Sequence, residues 1–241
     1  MRYKAICFDI DGTLYPFSLM QKRLLRIWLR HPFFVTRYNR MRKAFRICQE
    51  DYKKEIPFRW REAMIIQNGS ATEPERGFSE SDFRRTYESL QRKMYDPMER
   101  LYKKTEPFDG VRETFRNIKA HGLKIGVFTD FPMFEKLRSM KLDEYVDFAA
   151  SSDDTGFLKP DAHCFDYLLY NLKMEPSDVL YVGDSYEKDI VGARNAGIDA
   201  VLVNVKPSDF RDAAEKYPLA TEVFGSWKEF DAWLASGMED R

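Results

Sequence analysis

Two aspartates one residue apart are the first feature of this sequence that points to chemistry. Asp9 and Asp11 follow the apolar segment YKAICF (3–8) and flank a turn that continues through Gly12 and Thr13. Like charges repel, and removing a carboxylate from water is costly, so such a pair at the end of a buried segment needs compensation. Residues elsewhere in the chain must help to supply it.

Further polar residues end the other apolar segments. They are Thr129 and Asp130 after KIGVF, Lys159 before Pro160, Asp184 after DVLYVG, and Asp189 five residues later. In an open parallel sheet these positions would meet at the carboxyl ends of the strands, where ligands bind. Oxygen ligands without histidine or cysteine favour a hard ion, most simply Mg²⁺. The threonine hydroxyl, the lysine ammonium and the amides of the Gly12-Thr13 turn are donors suited to phosphate oxygens.

A metal ion beside a phosphate-binding turn indicates phosphoryl chemistry. One carboxylate can attack phosphorus and form an aspartyl-phosphate. A second carboxyl group can protonate the leaving alcohol and then take a proton from the hydrolytic water. These roles need two aspartates that lie close together but are differently placed, and two residues of extended chain span about 7 Å with both side chains on one face.

Five segments rich in β-branched and aromatic residues predict the strands that position these side chains. They are residues 3–8, 124–129, 146–151, 178–184 and 199–204. Each is apolar nearly throughout, as in strands covered on both faces. Helical patterns separate the later segments, and this alternation predicts an α/β fold with a parallel sheet and right-handed crossovers.

The interval between the first two predicted strands has a helical pattern. It exceeds a hundred residues, which is too long for an ordinary crossover. Apolar residues recur in it at helical spacing. We therefore predict an inserted helical domain at residues 17–104, with residues 1–16 and 105–241 forming the core.

Four motifs in this sequence resemble those of the haloacid dehalogenase (HAD) superfamily. They are DIDGTLY (9–15), VFTD (127–130), GFLKPDAHCF (156–165) and VGDSYEKDIVGARNAG (182–197). Four motifs in order are a strong signal where one would be weak. The chain looks like the Mg²⁺-dependent phosphatases that carry a helical (type C1) cap after the first strand. The resemblance implies a Rossmann-like three-layer α/β/α core.

The resemblance also implies a role for the residues that match the motifs. Asp9 would be the nucleophile and a metal ligand, and Asp11 the general acid/base, with its backbone carbonyl reaching the metal. Thr129 and Lys159 would bind phosphate, and Asp184 would complete the set of protein metal ligands.

Four further residues belong to the expected site. Asp189 would orient Lys159 or the metal-bound waters, and Gly12, Thr13 and Asp130 are expected close to substrate. Asp130 stands where the family often has asparagine or another small polar residue. We also expect it to cap a helix that starts near Pro132.

The acid at position 11 narrows the reaction that the resemblance implies. Family members that act as dehalogenases or phosphonate hydrolases lack an acid there, because their leaving groups need no such proton. Asp11 therefore favours hydrolysis of a phosphomonoester, and we expect a small phosphorylated metabolite as substrate. A sugar phosphomutase is the nearest alternative, and nucleoside monophosphates are candidate substrates.

Composition sets the broad class of the protein. The chain has 241 residues, of which 44% are hydrophobic, and its 39 basic side chains balance 39 acidic ones. This predicts a folded, soluble protein with no overall charge that favours a polyanionic partner. The N-terminus lacks the pattern of a signal peptide, and no segment approaches the roughly 20 apolar residues of a membrane span. Three widely spaced cysteines predict neither a disulfide framework nor a zinc site, and we expect a cytoplasmic protein.

One segment departs from the neutral average. From Lys22 to Arg61 the chain has thirteen basic and three acidic residues, a net charge of +10. It could be a solvated helical face over internally packed apolar residues, namely Leu24, Leu25, Trp28, Met41 and Phe45. It could attract dianionic substrates to the site. A third interpretation is a binding protein whose arginines, with Trp28, Phe33, Phe34 and Tyr38, hold nucleic acid or an anionic membrane surface.

Overall fold

The computed structural model describes residues 3–49, 56–69 and 79–239. Within these residues a parallel sheet has the strand order β3-β2-β1-β4-β5-β6. The strands are β1 (Ala5–Phe8), β2 (Lys124–Thr129), β3 (Phe148–Ser151), β4 (Val179–Gly183), β5 (Asp199–Leu202) and β6 (Glu222–Val223). The first five lie in the five predicted segments. Strand β6 was not predicted, because two residues are too short to show a strand pattern.

The central position of β1 assembles the polar residues at one edge of the sheet. Phe8, the last residue of β1, is in register with Val127 of β2 on one side and Val182 of β4 on the other. Because all three strands are parallel, the residues that follow them lie side by side. The side chains of β1 and β4 are fully buried, as the continuous apolar pattern predicted.

Helices cover both faces of the sheet. Alternate residues of β1 enter two separate cores: Phe8 stacks on Phe115 at 4.8 Å between ring centroids, and Cys7 lies in the second cluster with Leu168. The helices that follow β2 or flank it are α6 (Val111–Ala120), α7 (Phe134–Ser139), α8 (Ser152–Thr155), α9 (Ala162–Leu172), α10 (Val191–Asn195), α11 (Ala213–Lys216) and α12 (Trp227–Glu239). This arrangement confirms the predicted three-layer α/β/α fold.

The interval between β1 and β2 is helical, as its pattern predicted. The described helices are α1 (Phe17–Arg30), α2 (Pro32–Cys48), α3 (Phe58–Asn68), α4 (Glu80–Leu90) and α5 (Asp96–Tyr102), with a π-helical turn at Gln91–Tyr95 that joins the last two. The division into a core and a separate cap domain stays a prediction. Of the basic segment, Lys53 and Lys54 lie outside the described residues.

Two expectations are wrong, one about α1 and one about Asp130 after β2. Leu25 and Trp28 of α1 are 52% and 44% exposed rather than packed inside, because the helix turns Met20 and Ile27 inward. Asp130 does not cap α7, whose N-cap is Met133 and receives no side-chain hydrogen bond. Among the described residues, no helix has both the length and the apolar character that crossing a membrane requires.

Candidate active site

Three carboxylates and one lysine form the centre of the polar edge. Asp9, Asp184 and Asp189 each place an oxygen within 4.8 Å of the others. The Nζ atom of Lys159 lies 2.6 Å from an oxygen of Asp9 and 2.6 Å from an oxygen of Asp189. The side chains of Lys159, Asp9 and Asp189 are at least nine-tenths buried. The structure thus brings together four of the residues that the motifs singled out.

Glycine at position 12 makes this close approach possible. Gly12 has φ +99°, and a Cβ atom there would lie 2.2 Å from Oδ2 of Asp184. Only a residue without a side chain adopts this backbone conformation freely and leaves that space to the carboxylate. The turn after β1 therefore leaves room for the Asp184 carboxylate, which follows β4, to lie against the backbone at Gly12.

Hydrogen bonds hold the turn in place. The hydroxyl of Thr13 donates to Asp9 at 3.1 Å and lies 3.2 Å from an oxygen of Asp184. The Asn204 amide donates to the carbonyl oxygens of Gly12 and Thr13 at 2.8 and 2.9 Å, and the Trp227 indole donates to the Thr13 carbonyl at 2.9 Å. Sequence reasoning missed Asn204 and Trp227, because their partners lie about two hundred residues away and no local pattern connects them.

Asp11 has a different set of partners from Asp9. Its two carboxylate oxygens accept hydrogen bonds from Nζ of Lys136 at 2.7 and 2.5 Å, and the Thr129 hydroxyl donates to it at 3.0 Å. The Tyr15 hydroxyl also donates to Asp11. Thr129, expected to bind phosphate, thus contacts Asp11 in this structure. A metal contact through the backbone carbonyl of Asp11 stays a prediction.

Lys136 is the main residue of the site that the sequence analysis missed. It is fully buried, and its Nζ lies 4.3 Å from the ring centroid of Tyr102. The available signal was its position in α7, where it falls on the buried stripe with Met133, Leu137 and Met140. A lysine on an apolar stripe needs a buried counter-charge, which Asp11 supplies.

Asp130 connects the helical segment to the loops of the core. One of its oxygens accepts from Arg46 of α2 at 2.6 Å, and the other accepts from the backbone N–H of Lys159 at 3.0 Å. Burial would raise the pKa of Asp130, but the charges of Arg46, Lys159 and Arg42 outweigh it and lower the pKa to about 2. Contact of Asp130 with substrate stays a prediction.

The electrostatics of the carboxylates favour a bound cation. Burial raises the pKa of Asp9 to about 7; Lys159 opposes this shift, and Asp189 and Asp184 add to it. Burial and the charge of Asp189 raise the pKa of Asp184 to about 6. Three carboxylates share one ammonium group here, so a divalent cation with oxygen ligands would balance the charge. The donor set of Asp9, Asp184 and Asp189 fits Mg²⁺.

Comparison with protein families identifies one match that spans most of the chain. The family described as haloacid dehalogenase-like hydrolase matches residues 3–197. A glyceraldehyde 3-phosphate phosphatase of Methanothermobacter thermautotrophicus is 26% identical, with 91% of this chain and 94% of that protein covered. A ribulose-1,5-bisphosphate 5-phosphatase of Halopiger xanaduensis is 34% identical over 43% of this chain and 44% of its own length.

Solved structures agree with the fold. A Bacillus subtilis HAD-hydrolase bound to magnesium superposes with a TM-score of 0.65 at 20% identity, over 98% of this chain and all of that one. A β-phosphoglucomutase of Clostridium difficile superposes with a TM-score of 0.67 at 17% identity, over 99% of this chain and 98% of that one. At these identities the structures support the fold alone. The family match confirms the resemblance read from the four motifs, and the chain belongs to the haloacid dehalogenase-like hydrolases and is an enzyme of their phosphatase group.

Proposed function

We propose that this protein hydrolyses a small phosphomonoester with Mg²⁺, through an aspartyl-phosphate on Asp9 and with Asp11 as general acid/base. The observation that carries the proposal is the different environment of the two carboxylates. Asp9 contacts Lys159 and faces the other carboxylates, whereas Asp11 pairs with Lys136. Separate environments for two neighbouring carboxyl groups are typical of sites that assign them separate roles.

The residues of the chain divide the reaction between them. The carboxylate of Asp9 attacks phosphorus and the bond from phosphorus to the leaving oxygen breaks, while Asp11, protonated at the start of this step, gives its proton to that oxygen. Asp11 then takes a proton from the water that hydrolyses the acyl phosphate. Lys159, oriented by Asp189 at 2.6 Å, balances the negative charge of Asp9 and of the incoming phosphate. Asp9, Asp184 and the backbone carbonyl of Asp11 would hold the Mg²⁺ ion, which neutralises phosphoryl charge when bound, and Asp189 would orient Lys159 or the metal-bound waters.

The proposed substrate class is small phosphorylated sugars and related metabolites. The relatives named for glyceraldehyde 3-phosphate and ribulose-1,5-bisphosphate support this choice. Glyceraldehyde 3-phosphate and other sugar phosphates therefore stand first in a substrate panel ranked by kcat/KM, and nucleoside monophosphates follow. We place the protein in the cytoplasm as part of the same proposal, because Cys7 and Cys164 are buried thiols rather than disulfide partners.

Replacement of Asp9 tests the nucleophile. We expect Asp9→Asn to lower kcat by about 10⁴-fold or more, and EDTA to abolish turnover of the wild-type protein until Mg²⁺ is restored. Asp166→Asn is the matched control, because this aspartate is exposed on α9. A variant Asp9→Asn that keeps Mg²⁺-dependent phosphatase activity would show that the mechanism is wrong.

A labelling experiment separates the two aspartates. With a radioactive aryl phosphate as substrate, whose leaving group needs no proton, Asp11→Asn should accumulate label on the protein, because the intermediate forms without the general acid but lacks the general base for hydrolysis. Asp9→Asn should show no label. Rapid conversion between sugar-phosphate isomers, with little free phosphate, would instead identify a phosphomutase.

A further inference from the structure

A cationic groove lies on the helical segment, formed by residues that the proposed reaction does not use. Its cavity has a volume of about 500 Å³, and its lining includes Ile27 and Pro97. The other lining residues are four arginines, a lysine and a histidine, namely Arg26, Arg30, Arg92, Arg100, Lys93 and His31. A neighbouring cavity of about 390 Å³ shares Arg26 and Arg100 and adds Lys22 and Lys104. None of the described lining residues of either cavity is acidic.

The groove differs from the inward-facing part of the basic segment. Arg42, Arg46 and Arg59 form ion pairs with Glu62, Asp130 and Asp153, respectively. In contrast, no described carboxylate lies within ion-pair distance of Arg26, Arg30, Arg92 or Arg100. Like charges gathered around one cavity repel each other, so the groove fits an external polyanionic partner.

An apolar border, made of exposed side chains, flanks the groove residues in the sequence of α1 and the start of α2. Leu25, Trp28 and Leu29 of α1 are 52%, 44% and 63% exposed, and Phe33 at the start of α2 is 91% exposed. These four belong to the ten large hydrophobic side chains that are exposed in the described part of the protein, yet they fall within nine residues of sequence. On a helix, residues three positions apart are neighbours on the surface. Leu25 therefore lies beside Lys22, and Leu29 beside Arg26.

We propose that the cationic groove and this apolar border form a binding surface for anionic phospholipid membranes. A helix that exposes basic and large apolar residues side by side can place its cations among lipid phosphates and its apolar side chains among the acyl chains. A nucleic acid would satisfy the cations and its bases could stack on Trp28 and Phe33, but it offers no apolar phase for the aliphatic side chains of Leu25 and Leu29. A second copy bound through the same surface would place one cationic groove against another.

Vesicle co-sedimentation tests the proposal. Wild-type protein should bind vesicles of phosphatidylcholine with about one third phosphatidylserine and should not bind vesicles of phosphatidylcholine alone. Arg26→Glu with Arg30→Glu should weaken binding by about 25-fold or more, taking about fivefold for each positive charge lost. The exposed Arg116→Glu with Arg211→Glu carries the same charge change elsewhere on the surface and should bind as the wild type does.

A second set of variants tests whether the apolar border contributes to vesicle binding. Leu25→Ser with Leu29→Ser and Phe33→Ser should reduce vesicle binding, whereas Leu219→Ser, at a side chain 42% exposed elsewhere, should not. Tryptophan fluorescence should shift to the blue when vesicles bind. Trp28→Phe should remove that shift, and Trp60→Phe, at a tryptophan of similar exposure, should keep it.

Three results would overturn the proposal. The first is equal binding to neutral and anionic vesicles, or no binding to either kind of vesicle. The second is salt-sensitive binding of a short DNA duplex that the Arg26 and Arg30 changes abolish, without vesicle binding. The third is unchanged vesicle binding by the charge-reversal and apolar variants. All variants are first compared by thermal melting and by phosphatase activity on a soluble ester, which this surface should not affect. The test is thus independent of the proposed reaction.

Discussion

Replacement of Lys136 by methionine tests whether the buried pair between Lys136 and Asp11 positions the proposed general acid/base. Methionine fills a similar volume without a charge, so the change removes the ammonium and leaves the packing nearly intact. The Asp11 carboxylate would keep hydrogen bonds from Thr129 and Tyr15 but would lose its only described cationic partner.

The burial of this pair determines how much stability the Lys136→Met change should remove. The side chains of Lys136 and Asp11 are 0% and 11% exposed. Removing one partner of a buried ion pair costs about 3–5 kcal/mol, because the other charge stays buried without compensation. For a chain of this size, each kcal/mol lowers Tm by about 2–4 °C. We therefore expect Lys136→Met to lower Tm by about 10 °C and to lower kcat, since the carboxylate loses its fixed orientation.

The double variant Lys136→Met with Asp11→Asn provides the decisive comparison. Each single change leaves a buried charge without its partner. The double change leaves a neutral pair, and replacing a buried ion pair by neutral groups often leaves the free energy of unfolding close to its original value. Urea unfolding of the four proteins should therefore give a coupling free energy of at least about 2 kcal/mol. Additive effects of the two single changes, or a Lys136→Met protein with wild-type kcat and Tm, would refute the positioning role.

Two further predictions concern the loops around the site. The folded pKa of Asp130, about 2, lies below its ordinary value of 3.8, so the group contributes stability at neutral pH that is lost as the pH falls through that range. Asp130→Asn should therefore cost about 2 kcal/mol at pH 7 and flatten the loss of stability between pH 5 and pH 2, measured by urea unfolding at each pH. Gly12→Ala would put a Cβ atom 2.2 Å from Asp184 and should lower kcat/KM by about 100-fold, while Gly122→Ala, also at positive φ but with open space around it, should leave kcat/KM unchanged.

Much of the site could be predicted from the sequence because it is encoded locally. Asp9, Thr129 and Asp184 each end or directly follow an apolar strand, and parallel pairing of β1 with β2 and β4 is enough to bring them together. Gly12 adopts its conformation within the same turn. For these residues the motif and the fold carry the same information.

Other features depend on contacts between distant segments. Lys136 meets Asp11 across 125 residues, and nothing in the helix around it names its partner. The outward direction of Leu25 and Trp28 was also beyond prediction, because the apolar residues of α1 span more than half of its circumference and a single packed face cannot bury all of them.

The basic segment illustrates why a net charge is a poor guide to a single role. An arginine whose guanidinium pairs with a nearby carboxylate adds little to the long-range field. Arg46 of α2 pairs in this way with Asp130, which follows β2, and Arg59 of α3 pairs with Asp153 of α8. Arg26 and Arg30 of the groove lack such described partners, so their charges add to the positive potential of the segment. Arg46→Ala should therefore alter stability and phosphatase kinetics without changing vesicle binding, whereas charge reversal at Arg26 and Arg30 should do the opposite. Parallel loss of both properties in either variant would show that the two sets of cations are not independent.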